Sequence, residues 1–358
     1  MVTVLAEAGV NHNGSRDLAH RLIDAAAEAG ADAVKFQTFR ATSLTSASAP
    51  KARYQEKATG TSETQQEMLA RLELSPDDHR ALMEHCERVG VAFLSTPFDR
   101  DSLDLLVNDL DVATLKVGSG DMNNQPLLHA IALTGKPVIL STGMATLEEV
   151  EEALGVAAHG FLGEVDPGPE NFAAAFRSSE GQAVLAEKLT LLHCTTAYPT
   201  PPDAINLRAM DTMRETFGLP VGFSDHSDGI AIPIAAVGRG ATMIEKHITL
   251  DRTMDGPDHA ASLEPDTFRE MVDGIRGASR ALGSPVKAPT EIERANMAVA
   301  RKSVTAASAI KRGEMFTDKN LTLKRPGDGL SPAHFWWLIG KTATQDYAPD
   351  DKIVDAVS

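Results

Sequence analysis

Eight short apolar runs recur along the first 280 residues, near 3–8, 32–37, 91–95, 113–118, 137–141, 189–194, 220–224 and 242–248. A helical pattern follows each. After the first run, Leu18, Leu22, Ile23, Ala26 and Ala29 return at helical spacing and Gly30 stands where that helix should stop. Ser75-Pro76-Asp77-Asp78 combines a serine cap, a proline at the first helical position and acids in the first turn, and Gly90 closes the helix it opens. Thr146 and Glu149 have capping-box spacing. Eight strand–helix units with apolar strands predict an α/β fold, a (β/α)₈ TIM barrel. An open doubly wound sheet is the alternative. Against it, Gly118-Ser119-Gly120 is followed by Asn123 where a dinucleotide fingerprint needs glycine, and no P-loop sequence occurs.

Two stretches interrupt the rhythm: a polar excursion over 40–74, read as a substrate loop, and an expanded helical region over 157–187. The barrel is expected over 1–282. A linker rich in Pro, Lys and Glu is read over 283–300, and a small β-rich domain over 301–358, with Phe335, Trp336, Trp337, Leu338 and Ile339 in its core.

The formal net charge of −16 argues against nucleic acid and anionic membranes as partners. No apolar run approaches the roughly 20 residues of a membrane span. The opening, Met1 to Glu7, reads as a first strand and not a signal peptide. With only Cys86 and Cys194 in the chain, a reduced cytoplasmic protein without a disulfide is expected. An anionic substrate would need local cations to overcome the global field, which screening beyond about 8 Å permits.

Barrel enzymes place their chemistry at the C-terminal ends of strands. Here those ends carry Glu7; Lys35 and Gln37; Ser95 and Thr96; Lys116 and Ser119; Ser141 and Thr142; His193 to Thr196; Ser224, Asp225 and His226; and Glu245, Lys246 and His247. Lys35 and Lys116, with Thr96, Ser119 and Ser141, suit a phosphate or a phosphate-carboxylate ligand. A Schiff-base aldolase is a second reading, with Lys35, Lys116 or Lys246 as the amine. His226 and His247, on successive strands, suit one divalent ion with open positions; His193 and His12 are further candidates.

The motifs resemble a known family. Glu7-Ala8-Gly9-Val10-Asn11-His12-Asn13-Gly14 is similar to the opening of bacterial sialic acid synthases, the N-acetylneuraminate, legionaminate and pseudaminate enzymes. Lys35-Phe36-Gln37-Thr38, Ser95-Thr96-Pro97-Phe98, Lys116-Val117-Gly118-Ser119-Gly120, Leu140-Ser141-Thr142-Gly143-Met144, Leu191-Leu192-His193-Cys194-Thr195, Tyr198-Pro199-Thr200-Pro201, Ser224-Asp225-His226 and Gly256-Pro257-Asp258 continue the likeness in order. In the tail, Lys324-Arg325-Pro326-Gly327-Asp328-Gly329 resembles the antifreeze-like (SAF) domain of the same family.

The resemblance implies condensation of phosphoenolpyruvate with N-acetylmannosamine or a close analogue to a nonulosonic acid and phosphate. The alternatives are 2,4-diacetamido-2,4,6-trideoxymannose, as in legionaminate synthesis, or the pseudaminate precursor; a non-catalytic sugar-binding protein is the reading from another class. It implies phosphoenolpyruvate contacts at Lys35, Thr96, Lys116, Ser119, Ser141 and Ser224, and an acid beside the reacting centre at Glu7. Sugar contacts fall at Gln37, Asp121, Tyr198 and Asp258. His226 and His247 match the ligands of a metal, Mn²⁺ first, with Mg²⁺ or Co²⁺ as alternatives. Arg325 matches an arginine inserted into the partner's barrel, hence a domain-swapped homodimer. The chain departs from one branch of the family at Asp121 (Glu there), Thr196 (Asn contacting phosphoenolpyruvate), Gly60 (a sugar-binding Asn) and Val299 (Phe at the subunit contact). The segment Ala49–Gln55 resembles the N-acetylneuraminate and legionaminate branches more than the pseudaminate branch.

Overall fold

A computed structural model describes residues 1–52, 55–56 and 63–353. Gly60, and Arg53 and Tyr54 of the branch-marking segment, lie outside the described residues.

The apolar runs form β1 (Thr3–Gly9), β2 (Ala33–Thr38), β3 (Ala92–Pro97), β4 (Leu115–Val117), β5 (Val138–Ser141), β6 (Leu189–Cys194), β7 (Val221–Asp225) and β8 (Met243–His247). Each pairs in parallel with the next, and β8 returns to β1, closing the barrel. The open-sheet alternative is thereby excluded.

Side chains alternate across the strands. Val4, Ala6, Val34, Phe36, Leu115, Val117, Leu140, Leu191, Phe223 and Ile244 face outward into the large core shared with the surrounding helices. Leu5, Ala33, Leu94, Ile139 and Leu192, with Met243, fill the barrel interior. Two residues further along the same inward face come Glu7, Lys35, Thr96, Ser141, Cys194 and Glu245. The apolar plug thus ends where the polar mouth begins.

The helix signals operate as expected. The Ser75 and Asp78 side chains each accept from the other's backbone N–H, and Gly90 takes the left-handed conformation (φ +80°) that ends that helix. Thr146 and Glu149 form a second capping box. The 40–74 excursion contains short helices at Ala41–Leu44 and Gln65–Ala70. Cys86 and Cys194 are both buried and free. No helix among the described residues is long and apolar enough to cross a membrane.

The chain divides into two compact units, Met1–Gly283 and Ser284–Ser358. In the smaller, β9 (Ser303–Ala306) and β10 (Leu321–Lys324) pair antiparallel over a core that includes Val304, Ile310, Phe316, Leu321, Leu338, Tyr347 and Ile353. One expectation needs correction here. Trp336 and Trp337 are 78% and 45% exposed. The run forms a single helical turn, Phe335–Leu338, so residues three apart face inward and the two between them face out. The stretch 283–300, read as a linker, contains a helix. Glu291–Ala300 is helical, started by a capping box between Thr290 and Glu293 and tied to its own unit by the Gly327 N–H, which donates to the Ala298 carbonyl at 2.7 Å.

Candidate active site

Beyond the apolar plug, the C-terminal mouth of the barrel opens into a cavity of about 510 Å³. Most of the barrel candidates from the sequence line it: Glu7, Lys35, Gln37, Thr96, Lys116, Ser119, Asp121, Ser141, Tyr198, Ser224, His226, His247 and Asp258. Thr196 lines it as well. Arg325 does not belong to this unit; it is exposed, one residue after β10. Val299 is exposed on the Glu291–Ala300 helix.

The two lysines are buried and already engaged. Lys35 Nζ lies 2.7 Å from Glu7 Oε2 and 3.8 Å from Glu245 Oε2, and donates to Thr96 Oγ1 at 3.4 Å. Lys116 Nζ donates to Ser141 Oγ at 2.6 Å and to the Val117 carbonyl at 3.0 Å, and stands 4.0 Å from the same Glu245 oxygen. Glu245 is in turn held by Ser224 Oγ, which donates at 2.8 Å. One carboxylate therefore sits between both ammonium groups.

The two glutamates are driven apart in acidity. Burial pushes Glu7 up to about 7, against the pull of Lys35 and helped by the like charge of Glu245. Glu245 is equally buried, yet Lys116, Lys35 and the Ser224 hydroxyl hold it down at about 2. A pair of carboxyls split in this way supplies one group able to exchange a proton near neutrality and one fixed charge. Burial lowers Lys116, and it raises Asp258 to about 6. Burial would also lower Lys35, but Glu245 and Glu7 raise it on balance.

Across the mouth, the His226 and His247 rings are 5.5 Å apart, with Tyr198 packed 4.2 Å from the first and 5.8 Å from the second. His226 Nδ1–H donates to the Thr195 carbonyl at 2.8 Å, which leaves its Nε2 lone pair available. His247 Nδ1 is buried without a hydrogen-bond partner, 3.8 Å from Asp258 Oδ2. Burial keeps both rings neutral, His247 strongly so. Among the described residues, no group of three or more His, Cys, Asp or Glu side chains is arranged around a metal position. The mouth offers the histidine pair.

Three candidates fall elsewhere. His193 faces outward, stacks on Phe223 and donates from Nε2 to the Ile205 carbonyl at 2.7 Å. His12 occupies the turn after β1, where its Nδ1 accepts from the Gly14 N–H at 3.0 Å. Lys246 points out of the barrel into a buried ion pair with Asp225 at 2.6 Å, so it is not available as a Schiff-base amine in the cavity. Conversely, Glu245 acquires a role that its position alone did not indicate. So does an apolar wall, Val10, Leu44, Met68, Leu69, Leu72 and Phe98, contributed mostly by the 40–74 excursion. The alternation along β8, which sets 245 and 247 on one face and 246 on the other, was the available signal for Glu245.

Comparison with known proteins agrees over nearly the whole chain. Residues 22–287 match the NeuB family. The N,N'-diacetyllegionaminic acid synthase of Campylobacter jejuni is 44% identical over 350 residues, 98% of each chain. That of Legionella pneumophila is 42% identical, covering 94% of this chain and 89% of its own. The crystal structure of an N-acetylneuraminic acid synthetase from Leptospira borgpetersenii in complex with citrate superposes with a TM-score of 0.67 at 32% identity, over 83% of this chain and 90% of that one. With a closed eight-stranded barrel, a polar mouth built from its strand ends and whole-chain identity of this order, the chain belongs to the NeuB family, the sialic acid synthases.

Proposed function

We propose that the chain is a nonulosonic acid synthase that condenses phosphoenolpyruvate with an N-acylated mannose-type aldose and releases phosphate. The observation that carries this is the pairing, in one mouth, of two buried lysines with two buried histidines. Lys35 and Lys116, with Thr96, Ser119, Ser141 and Ser224, hold the phosphate and carboxylate of the enol phosphate. This reading makes Thr196 a substitute for the family's asparagine contact.

The imidazole pair suits a divalent ion, Mn²⁺ foremost. His226 has its second nitrogen fixed by a backbone carbonyl, the usual support of a ligating histidine, and His247 has a buried nitrogen with no protein partner. When bound, the ion supplies Lewis-acid polarisation of the sugar's C1 aldehyde. The protein's own part is positioning and proton traffic. The lysines hold the enol phosphate with its C3 facing the aldehyde carbon, and fixing both reactants removes much of the entropic barrier. Carbon–carbon bond formation leaves C2 electron-poor, and water adds there. Glu7, whose carboxyl titrates near neutrality, accepts the proton of that water. The intermediate then collapses to the C2 ketone as its C2–O bond to phosphate breaks, the C2 hydroxyl proton leaving with phosphate, while the proton taken up by Glu7 is returned to the former aldehyde oxygen.

Gln37, Asp121, Tyr198 and Asp258 address the sugar. The apolar wall of Leu44, Met68, Leu69 and Leu72 gives a sugar with a methyl group an apolar surface to pack on. The two legionaminic acid synthases among the relatives point the same way, so 2,4-diacetamido-2,4,6-trideoxymannose is placed ahead of N-acetylmannosamine. The smaller unit is assigned the antifreeze-like fold, and Arg325 the role of reaching a partner's sugar in a domain-swapped homodimer acting in the cytoplasm.

Phosphate release with phosphoenolpyruvate and each of N-acetylmannosamine, the diacetamido-trideoxymannose and its altrose isomer tests the proposal. Turnover should be greatest with the diacetamido-mannose, vanish on chelation and return with Mn²⁺. Turnover surviving thorough metal removal rejects the metal. Binding of phosphoenolpyruvate without phosphate release for any sugar rejects the enzyme. A lysine adduct trapped by borohydride restores the aldolase reading.

A further inference from the structure

Lys246 is fully buried and lines no part of the mouth. It has a geometric place with respect to the two imidazoles. β7 and β8 pair in the register Asp225↔Lys246, so these two residues face each other outside the barrel while their chain neighbours, His226 and His247, face the mouth. The Lys246 ammonium donates to Asp225 Oδ2 at 2.6 Å and to the Ser227 carbonyl at 2.5 Å. The other Asp225 oxygen accepts from the Ser227 N–H at 2.9 Å. His226 lies one residue beyond the end of β7 and is flanked by exactly the two residues that Lys246 grips from the neighbouring strand.

We infer that Lys246, with Asp225, is a positioning residue: the buried pair clamps the chain on both sides of His226 and sets its ring against His247, which follows Lys246 on β8. The inference rests on the proposal that these imidazoles share a divalent ion. Stability is a weak explanation for the pair. Replacing a buried ion pair by apolar side chains of similar volume is often neutral or stabilising. Direction is the stronger one. A lysine that reaches two groups on the neighbouring chain, one on each side of His226, fixes the path of a segment that no longer has ladder hydrogen bonds on both sides. On the far side, the Thr200 N–H donates to the His226 carbonyl at 2.8 Å, and the His226 ring is held by Thr195. The loop after β6 therefore braces His226 itself and Lys246 braces its flanks from outside the barrel.

The test compares full-length wild type, Asp225→Asn, the charge-free double variant Asp225→Leu/Lys246→Met and His226→Ala. Mn²⁺ affinity is read from the electron paramagnetic resonance of free Mn²⁺ without substrates, beside the melting temperature of the metal-free proteins. The double variant should melt close to wild type yet bind Mn²⁺ about 10–100-fold more weakly, the range for loss of groups that orient metal ligands. Asp225→Asn, isosteric and still an acceptor, should fall between, which keeps the test open if the double variant gives little folded protein. KM for phosphoenolpyruvate should change less than Mn²⁺ affinity, because Lys35 and Lys116 stand on β2 and β4 and are also held there by Glu7, Thr96 and Ser141. Equal Mn²⁺ affinity in wild type and both clamp variants overturns the clamp alone. A wild type that binds no Mn²⁺, or His226→Ala binding as tightly as wild type, overturns the metal reading and the clamp with it.

Discussion

Single residues in this molecule take their properties from their surroundings more than from type. Glu7 and Glu245 have the same side chain and equal burial, and they differ because Glu245 lies between two ammonium groups while Glu7 has one. His12 shows the same effect away from the mouth. Burial, with His79 nearby, lowers it from 6.5 to about 4. The folded state thus resists protonating a ring that the unfolded chain protonates at 6.5. The stability this gives is complete above pH 6.5 and is lost as the pH falls from there through 4, up to roughly 3 kcal/mol. Melting curves from pH 7 to pH 4 should fall more steeply for wild type than for His12→Asn. Parallel slopes would show that the ring does not carry the effect.

At the level of elements, what was legible in the sequence follows from chemistry that repeats. Buried parallel strands are continuous apolar runs, so all eight were placed within a residue or two, and the strand ends then nominated the mouth. Partners were not legible. Glu245 could be assigned to the end of β8, but its setting between Lys35 and Lys116 depends on β2 and β4, distant in sequence. The Phe335–Ile339 run was misread because five apolar residues in a row suggest burial, whereas one helical turn hides only part of them. The helix at Glu291–Ala300 was missed because its composition is that of a linker, although the Thr290/Glu293 spacing announced it. Packing inside the wall is equally hidden from a one-dimensional reading. Gly222 in β7 looks replaceable, yet a Cβ there would lie 2.6 Å from Leu192 Cδ2 and 2.6 Å from the Met243 carbonyl oxygen. Gly222→Ala should therefore cost about 1–3 kcal/mol by overpacking, measurable by urea denaturation. An unchanged midpoint would mean that β7 and β8 separate freely.

At the scale of the whole molecule, each of the two units has hydrophobic packing of its own. If the smaller unit delivers Arg325 to a partner's sugar, Arg325→Ala should raise the sugar KM at least tenfold, as expected for loss of a charged contact, and leave that for phosphoenolpyruvate nearly unchanged. Steady-state kinetics with each substrate varied in turn decides it, and the reversed pattern rejects the role. Within the barrel, function depends on parity along the strands. On β8 an anion and an imidazole face inward while the ammonium between them faces out. Inserting or deleting one residue there would exchange the two sets, putting Lys246 in the mouth and stranding Glu245 and His247 among aliphatic side chains. A change of length is therefore tolerable in the loops and not in the strands, and the 40–74 excursion, which supplies most of the mouth's apolar wall, is where the pocket can be reshaped while the strands keep count.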